Sequence, residues 1–196
     1  MQRISNMSVL KPVMETKRLI LRNIDMKADI DMWHDMMTDE DTVRYIGGKT
    51  FSRAQTWRYM AMCLGHQQVR GYGFFSVIEK ATGDWVGRIG PWYPEGWVAP
   101  EIGWGIHRHY TGRGFAKEAA KACVDYAFDV LEWDQVVHMI IEGNIGSEKT
   151  AEAIGSKRLY KVDGIAGVTD LPSWVYGQDN PNGSAHRDLK RSENQS

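Results

Sequence analysis

The sequence has few cysteines, no surplus of charge of either sign and no long apolar run, and each absence removes a class of protein. The two cysteines, Cys63 and Cys123, supply neither a disulfide framework nor a metal-ligand pair of recognisable spacing. A reducing compartment and no metal are the simple inference. The formal net charge of −1 lacks the basic surplus by which phosphate contacts hold a protein to nucleic acid. No stretch approaches the ~18 apolar residues of a membrane span, and residues 1–12 lack the apolar run of a signal peptide. A cytoplasmic protein with neither nucleic-acid nor membrane partner is expected. What is present is ordinary for a soluble globular chain. It has 196 residues, 42% hydrophobic and 25% charged, enough for one domain with a substantial core.

Patterning predicts an arm at 1–13, a domain at 14–177, and a polar tail at 178–196 with Pro181 and Gly183 that reads as disordered. Residues 16–22 (TKRLILR) are strand-like. Residues 29–38 place Ile30, Trp33 and Met37 at helical spacing. Ser52 resembles a helix N-cap, followed by a stripe of Trp57, Met60, Ala61 and Leu64 that ends at Gly65. Residues 72–79 and 85–92 flank a hairpin-type loop, and 99–106 form a third strand-like run. Beyond Gly114, a long helix carries Ala116, Ala119, Ala120, Cys123, Ala127 and Leu131 on one small-residue face, suited to close packing on a sheet. Residues 136–141 (VVHMII) read as a strand at the buried centre of a sheet. A short helix at 147–154 and strands at 159–162 and 174–176 complete the order. The sum is α/β (α+β), a mixed sheet with helices on its faces.

The chemistry-bearing segment is 109–116 (HYTGRGFA), set between a strand and a helix start. That position aims unpaired backbone N–H groups and the positive end of a helix dipole at one point, a natural site for phosphate or pyrophosphate. Gly112 and Gly114 let a backbone approach an anion closely, but they serve equally well to make a tight turn. No Gly-Lys-Ser/Thr follows, and the third glycine position of a Rossmann fingerprint falls on Lys117. A nucleotide-phosphate binder of another fold is therefore disfavoured.

The run Glu101-Ile102-Gly103-Trp104-Gly105-Ile106, then five residues, then Gly112-Arg113-Gly114-Phe115-Ala116-Lys117-Glu118-Ala119, resembles the fourth strand and acetyl-CoA loop of the GNAT acetyltransferases. It is most similar to the branch containing the ribosomal-protein N-terminal acetyltransferases. Residues 16–22 resemble that branch's first strand, and 39–45 (DEDTVRY) the segment between its first two helices. Asn144-Ile145-Gly146-Ser147 with Ala151-Glu152-Ala153-Ile154-Gly155 resembles its Asn-x-x-Ser helix start. The likeness covers about residues 15–162 in one collinear series.

The resemblance implies a GNAT fold, a mixed, mostly antiparallel sheet of about six to seven strands flanked by about four helices. It implies acetyl-CoA as co-substrate and a primary amine as acceptor, on a protein N-terminus or a small molecule, with a homodimer as one possible assembly. Backbone groups of Trp104, Gly105 and Ile106 should pair with the pantetheine arm. Amides of His109, Tyr110, Thr111, Gly112, Arg113, Gly114 and Phe115 should hold the pyrophosphate, and Asn144 and Ser147 should face the thioester. Two positions depart from the family pattern: His109 stands where glutamine or arginine often opens the loop, and Ser156 replaces the usual aromatic.

Acetyl transfer to an amine needs a neutral amine, a polarised thioester and a stabilised leaving thiolate. An alkyl ammonium titrates near about 10, so a base or a desolvated site must take its proton. Glu101, a carboxylate in an apolar-aromatic stretch, is the expected base, and an edge-strand structural role is its alternative. Ser147 is the expected donor to sulfur, with a helix N-cap as its alternative. Tyr110 is a weaker donor, better read as loop packing, and His138 reads as a satisfied core histidine, with similar doubt over His107. Cys63 and Cys123 lie on helical core positions, which favours direct transfer in a ternary complex over a covalent carrier. Trp33 and Trp57 read as core, while Trp92, Tyr93 and Trp97 are candidates for an acceptor-pocket wall. Asp39, Glu40 and Asp41 read as a solvated helix end or a cation-attracting mouth. A non-catalytic acyl-CoA sensor is the rival reading, which loss of Glu101 or Asn144 would favour, and both are present.

Overall fold

The bulk of the apolar residues can be buried only if successive residues of the strands serve opposite faces, and the strand β3 (Phe75–Glu79) shows the division. Phe75 and Val77 join one core cluster, while Phe74, just before the strand, joins another. The structure is a computed structural model describing residues 12–164 and 169–183. Its other strands are β1 (Pro12–Glu15), β2 (Leu19–Asn23), β4 (Trp85–Trp92), β5 (Glu101–Ile106), β6 (Gln135–Ile141), β7 (Lys157–Val162) and β8 (Ser173–Asp179). They form one sheet in the order β1-β2-β3-β4-β5-β6-β8-β7. Every neighbouring pair is antiparallel except β5 with β6.

One face carries α1 (Met26–Thr38), α2 (Glu40–Val43) and α3 (Arg53–Arg70), whose Trp33, Met36, Met37, Val43, Met60 and Cys63 pack with Phe74, Trp85 and Trp92. The other carries α4 (Phe115–Asp129), whose Ala119, Ala120, Cys123 and Ala127 lie fully buried against the sheet. Those small side chains let the helix axis approach the strands closely. Helix α5 (Ile145–Ala153) follows β6. The eight strands and five helices among the described residues exceed the expected numbers. The additions include the short β1, which pairs with β2, and the one-turn α2.

Several expectations shift for local reasons. Helix α1 starts earlier, at Met26, because the Asp25 side chain accepts the amides of Lys27 and Ala28. Helix α3 passes through Gly65 and stops at Gly71, whose left-handed φ of 80° closes the last turn with an N–H to Gln67 O. Its buried stripe runs through Thr56, Met60, Cys63 and His66, so Trp57, expected in the core, is 54% exposed. Thr56 is fully buried instead, its hydroxyl in contact with Ser52 O and His34 Nδ1. At the end, β8 runs through Gln178 and Asp179 because their positions pair with Val136 and Gln135. Asn180 is buried and bonded to the backbone of Trp133 and Asp134. The expected disordered tail thus begins too early at 178, while 184–196 and arm residues 1–11 lie outside the described residues.

One polar knot ties the first face together. Asp29 of α1, 1% exposed, accepts from Arg22 Nη1 and Nη2 of β2, the Ser76 hydroxyl of β3 and the Asp25 amide. Removing one partner strands the others in the interior. Asp29→Ala is expected to destabilise the fold by about 3–5 kcal/mol, read as a fall in the urea midpoint. A loss under about 1 kcal/mol would show that the knot is not structural.

Candidate active site

Strands β5 and β6 run parallel but share a single register pair, Glu101 with Val137. By contrast β4 and β5 pair at six positions, from Gly87↔Ile106 to Trp92↔Glu101. Beyond that single pair the two parallel strands separate, and side chains take over the ladder. Met139 N–H donates to Glu101 Oε1 at 3.0 Å, and Ile102 O accepts from His138 Nδ1 at 2.8 Å. The residues farther along β5 have no backbone partner on β6. The gap opens into a cavity of about 970 Å³ lined by residues of β4, β5, β6, α4 and α5.

Glu101, Trp104, Gly105, Ile106, Tyr110, Thr111, Gly112, Gly114, Phe115, Asn144 and Ser147, all expected from sequence, lie along this cavity. Two of the residues expected to bind the cofactor are not on its lining. The Arg113 side chain turns back to Glu79 at 2.6 Å, and His109 is exposed with its ring 5.0 Å from that of His107.

At one end of the cavity the loop is held in an anion-receptive shape. Gly112 and Gly114 take φ of 73° and 78°, the left-handed region that favours glycine. A side chain at Gly112 would meet no protein atom within 4 Å. Helix α4 has no side-chain cap on its first turn, whereas Asp25, Asp39, Ser52 and Asn144 cap α1, α2, α3 and α5. Its first-turn amides are therefore left for a ligand. The loop is pinned from outside: Arg18 donates to Arg113 O at 2.9 Å and pairs with Glu118 at 2.6 Å.

At the middle, Trp104 Nε1 donates to Ser147 Oγ at 3.1 Å. The Ser147 hydroxyl keeps its own hydrogen for an acceptor in the cavity. Ser147 is not the helix cap; Asn144 is, with Oδ1 accepting the Ser147 amide at 3.2 Å. His138 is a satisfied core histidine. Ile102 O can only accept, so Nδ1 carries the proton and Nε2 accepts from Ser156 Oγ at 2.8 Å. Burial holds the imidazole down at about 4. Ser156, where the family usually has an aromatic, is buried and bonded to both His138 and Gln178. The hydroxyl is what the histidine requires.

The other end is aromatic. Trp92 stacks on Phe74 with ring centroids 4.9 Å apart, and Trp97 donates to Glu101 Oε2 at 2.6 Å. Tyr93, expected beside them, is not on the lining and instead faces Arg70. Glu101 is 6% exposed. Burial pushes its carboxyl up to about 7, against the pull of the Met139 and Trp97 donors and the Arg88 guanidinium. Sequence reading missed Arg88, Tyr59 and Phe74, which also line this end. The signal was there: Arg88 is the one charge in the otherwise apolar run 85–92 (WVGRIGPW).

The remaining candidates have partners within the protein. His107 is buried, with Nε2 2.7 Å from Asp35 and Nδ1 accepting the His109 amide. Its hydrogen bond holds the Asp35 carboxyl below the ordinary carboxylate range. Asp39 and Asp41 stand at the cavity mouth, paired with Arg108 and Arg44. Tyr110 packs in the loop under the Arg113 guanidinium.

The folded protein binds the Glu101 proton more tightly than the unfolded chain does. Its contribution to stability is complete below about 4.5 and is lost as pH rises to about 7. Wild type should therefore lose stability relative to Glu101→Gln across that window, measured by urea unfolding at several pH values. A pH-independent difference would contradict the raised carboxyl.

The sequence model of the family described as Acetyltransferase (GNAT) domain matches residues 18–157. The uncharacterized protein YkkB of Bacillus subtilis (strain 168) is 29% identical over 147 residues, covering 74% of this chain and 85% of the relative. Among solved structures, an acetyltransferase from Agrobacterium tumefaciens str. C58 superposes with a TM-score of 0.73 at 30% identity, over 86% of this chain and 94% of the other. RimL, a ribosomal L7/L12 alpha-N-protein acetyltransferase solved with coenzyme A, shares the fold at 14% identity and a TM-score of 0.71, over 86% and 98% of the two chains. With the family match spanning most of the domain and the cavity set at its parting strands, the chain belongs to the GNAT acetyltransferase family and is an acetyl-CoA-dependent acyltransferase.

Proposed function

We propose that this protein moves an acetyl group from acetyl-CoA to a primary amine, on a protein N-terminus or a small molecule, by direct transfer in a ternary complex. The observation that carries this reading is the meeting in one cavity of an uncapped helix N-terminus, an open strand edge and a buried carboxyl. Acetyl-CoA supplies an activated acyl carbon and a thiol leaving group. The α4 amides with Gly112 and Gly114 suit its pyrophosphate, and the free edge from Trp104 to Ile106 suits the amide groups of its pantetheine arm.

Glu101 takes the proton of the attacking amine, directly or through water. Its two oxygens are oriented by Met139 and Trp97, and a carboxyl near 7 is poised for proton exchange at neutral pH. The Ser147 hydroxyl, oriented by Trp104, gives a proton to the departing sulfur. Direct transfer follows from the thiols: Cys63 and Cys123 are fully buried, and burial pushes both up, Cys63 to about 12. Neither is available as an acyl carrier. Two unpaired thiols also support the expected cytoplasmic setting.

Acetyl-CoA should raise the melting temperature by mass action. Gly112→Val, which fills space a pyrophosphate would approach, should abolish that rise while the uncomplexed variant still melts cooperatively. An undiminished rise would take the loop out of the binding site.

Glu101→Gln should leave acetyl-CoA affinity near wild type on calorimetry and lower turnover ~10²–10⁴-fold. The acidic limb near pH 7 should vanish from its pH–rate profile. Wild-type turnover with that limb intact would remove Glu101 from the mechanism.

A further inference from the structure

Arg88 is only 5% exposed, yet no carboxylate pairs with it among the described residues. Its Nη2 donates to the Tyr59 hydroxyl at 3.1 Å, while its Nε is buried and without a partner. The guanidinium lies 4.0 Å over the Phe74 ring. A cation–π contact offsets part of the cost of burying such a charge, but leaves most of its five N–H donors unused.

The position is built. The register of β3 and β4 shifts by one residue between Val77↔Gly87 and Ile78↔Trp85, so Val86 is extra. That bulge places Arg88 on the same face as Trp85 rather than Val86. Across the ladder, Arg88 is opposite Gly105. A Cβ built there would crowd Ile46 Cδ1 at 3.3 Å and lie 3.8 Å from Arg88 Nε, and one at Gly103 would crowd the Phe74 ring at 3.2 Å and lie 3.6 Å from Glu101 Oε1. Glycine at both positions lets Ile46 and the Phe74 ring pack directly on the strand beside the arginine and the candidate base. The other lining cations differ. Arg108 is already paired with Asp39, and Lys117 is exposed on the first turn of α4, at the cofactor end.

We infer that Arg88 receives an anionic group of the acceptor, so that the substrate of this site is an amine that also carries a carboxylate. This rests on the acetyltransferase reading and selects within it. An amino acid or related amino carboxylate places its amine toward Glu101 and its carboxylate on the Arg88 fork, filling donors the protein leaves open. Polycationic amines are disfavoured by the same charge.

The test compares glycine, L-alanine and L-methionine with their amides, and with spermidine, by thiol release from acetyl-CoA. Amino amides titrate lower than the acids, so chemical reactivity alone favours the amides. Wild type should nevertheless prefer the acids in kcat/KM on the order of 100-fold. In Arg88→Met that ratio should collapse toward one. A merely structural loss would lower both members of each pair alike and leave the ratio in place.

Arg88→Lys, which keeps charge but loses the planar fork, should retain an intermediate ratio and serves if the methionine variant does not fold. A second readout needs no turnover: with coenzyme A present, calorimetry should show N-acetyl-L-methionine binding more tightly than its amide. A wild-type ratio at or below one, spermidine as the best acceptor, or an unchanged ratio in both variants overturns the assignment. Selective binding of the N-acetyl acid without any thiol release would instead overturn the acetyltransferase reading and leave the carboxylate site standing.

Discussion

The parting of β5 from β6 after one register pair is the constraint on which the rest depends. A sheet with an unpaired edge at its centre exposes polar backbone in a place where burial would be costly. Here the first positions of that edge are satisfied by side chains, Glu101 to the Met139 amide and His138 to the Ile102 carbonyl. Those two bonds hold the wedge open at a defined width. They also fix the chemistry, because the carboxyl that completes the ladder is the one burial raises to about 7. Structure and reactivity are two consequences of the same broken ladder.

The two sides of the sheet then take different tasks. Under α4 the core is small-residue and tightly packed, which brings the uncapped helix start onto the end of β5. Under α1 and α3 the core is aromatic and brings Arg88, Tyr59, Phe74 and Trp92 to the cavity. The Asp29 knot ties β2, α1 and β3 together on that side. In the proposed reaction, a cofactor lying along β5 and an acceptor entering from the aromatic side would meet at Glu101.

Legibility followed sequence distance. The GxG loop, the alanine face of α4 and the VVHMII strand were readable because each is a contiguous pattern whose neighbours decide its structure. Trp57 was placed in the core because a one-residue rotation of α3 is invisible to spacing alone; in the fold Thr56, bonded to His34, faces inward. Ser147 was weighed as a cap because the short helix was read as starting there, two residues later than it does. The role of Ser156 was hidden because its partner, His138, lies on another strand. Arg88 went unread for the same reason. A charge within an apolar strand is visible in sequence, but that no carboxylate forms an ion pair with it among the described residues is a property of the assembled fold.

Desolvation explains why these groups belong together. In water an alkyl ammonium and a carboxylic acid differ by about 6 pK units, so proton transfer between them is strongly uphill. Burial acts on both in the useful direction, raising the acid and lowering the ammonium. Glu101 has already made its part of that shift. Arg88 opposes it, since its positive charge pulls the carboxyl down. In the proposed complex, an acceptor carboxylate seated on the guanidinium would cancel that pull and make Glu101 a stronger base toward the amine beside it. On the proposed assignment, the cation that lowers the Glu101 carboxyl in the free protein is the group through which an acceptor carboxylate would raise it.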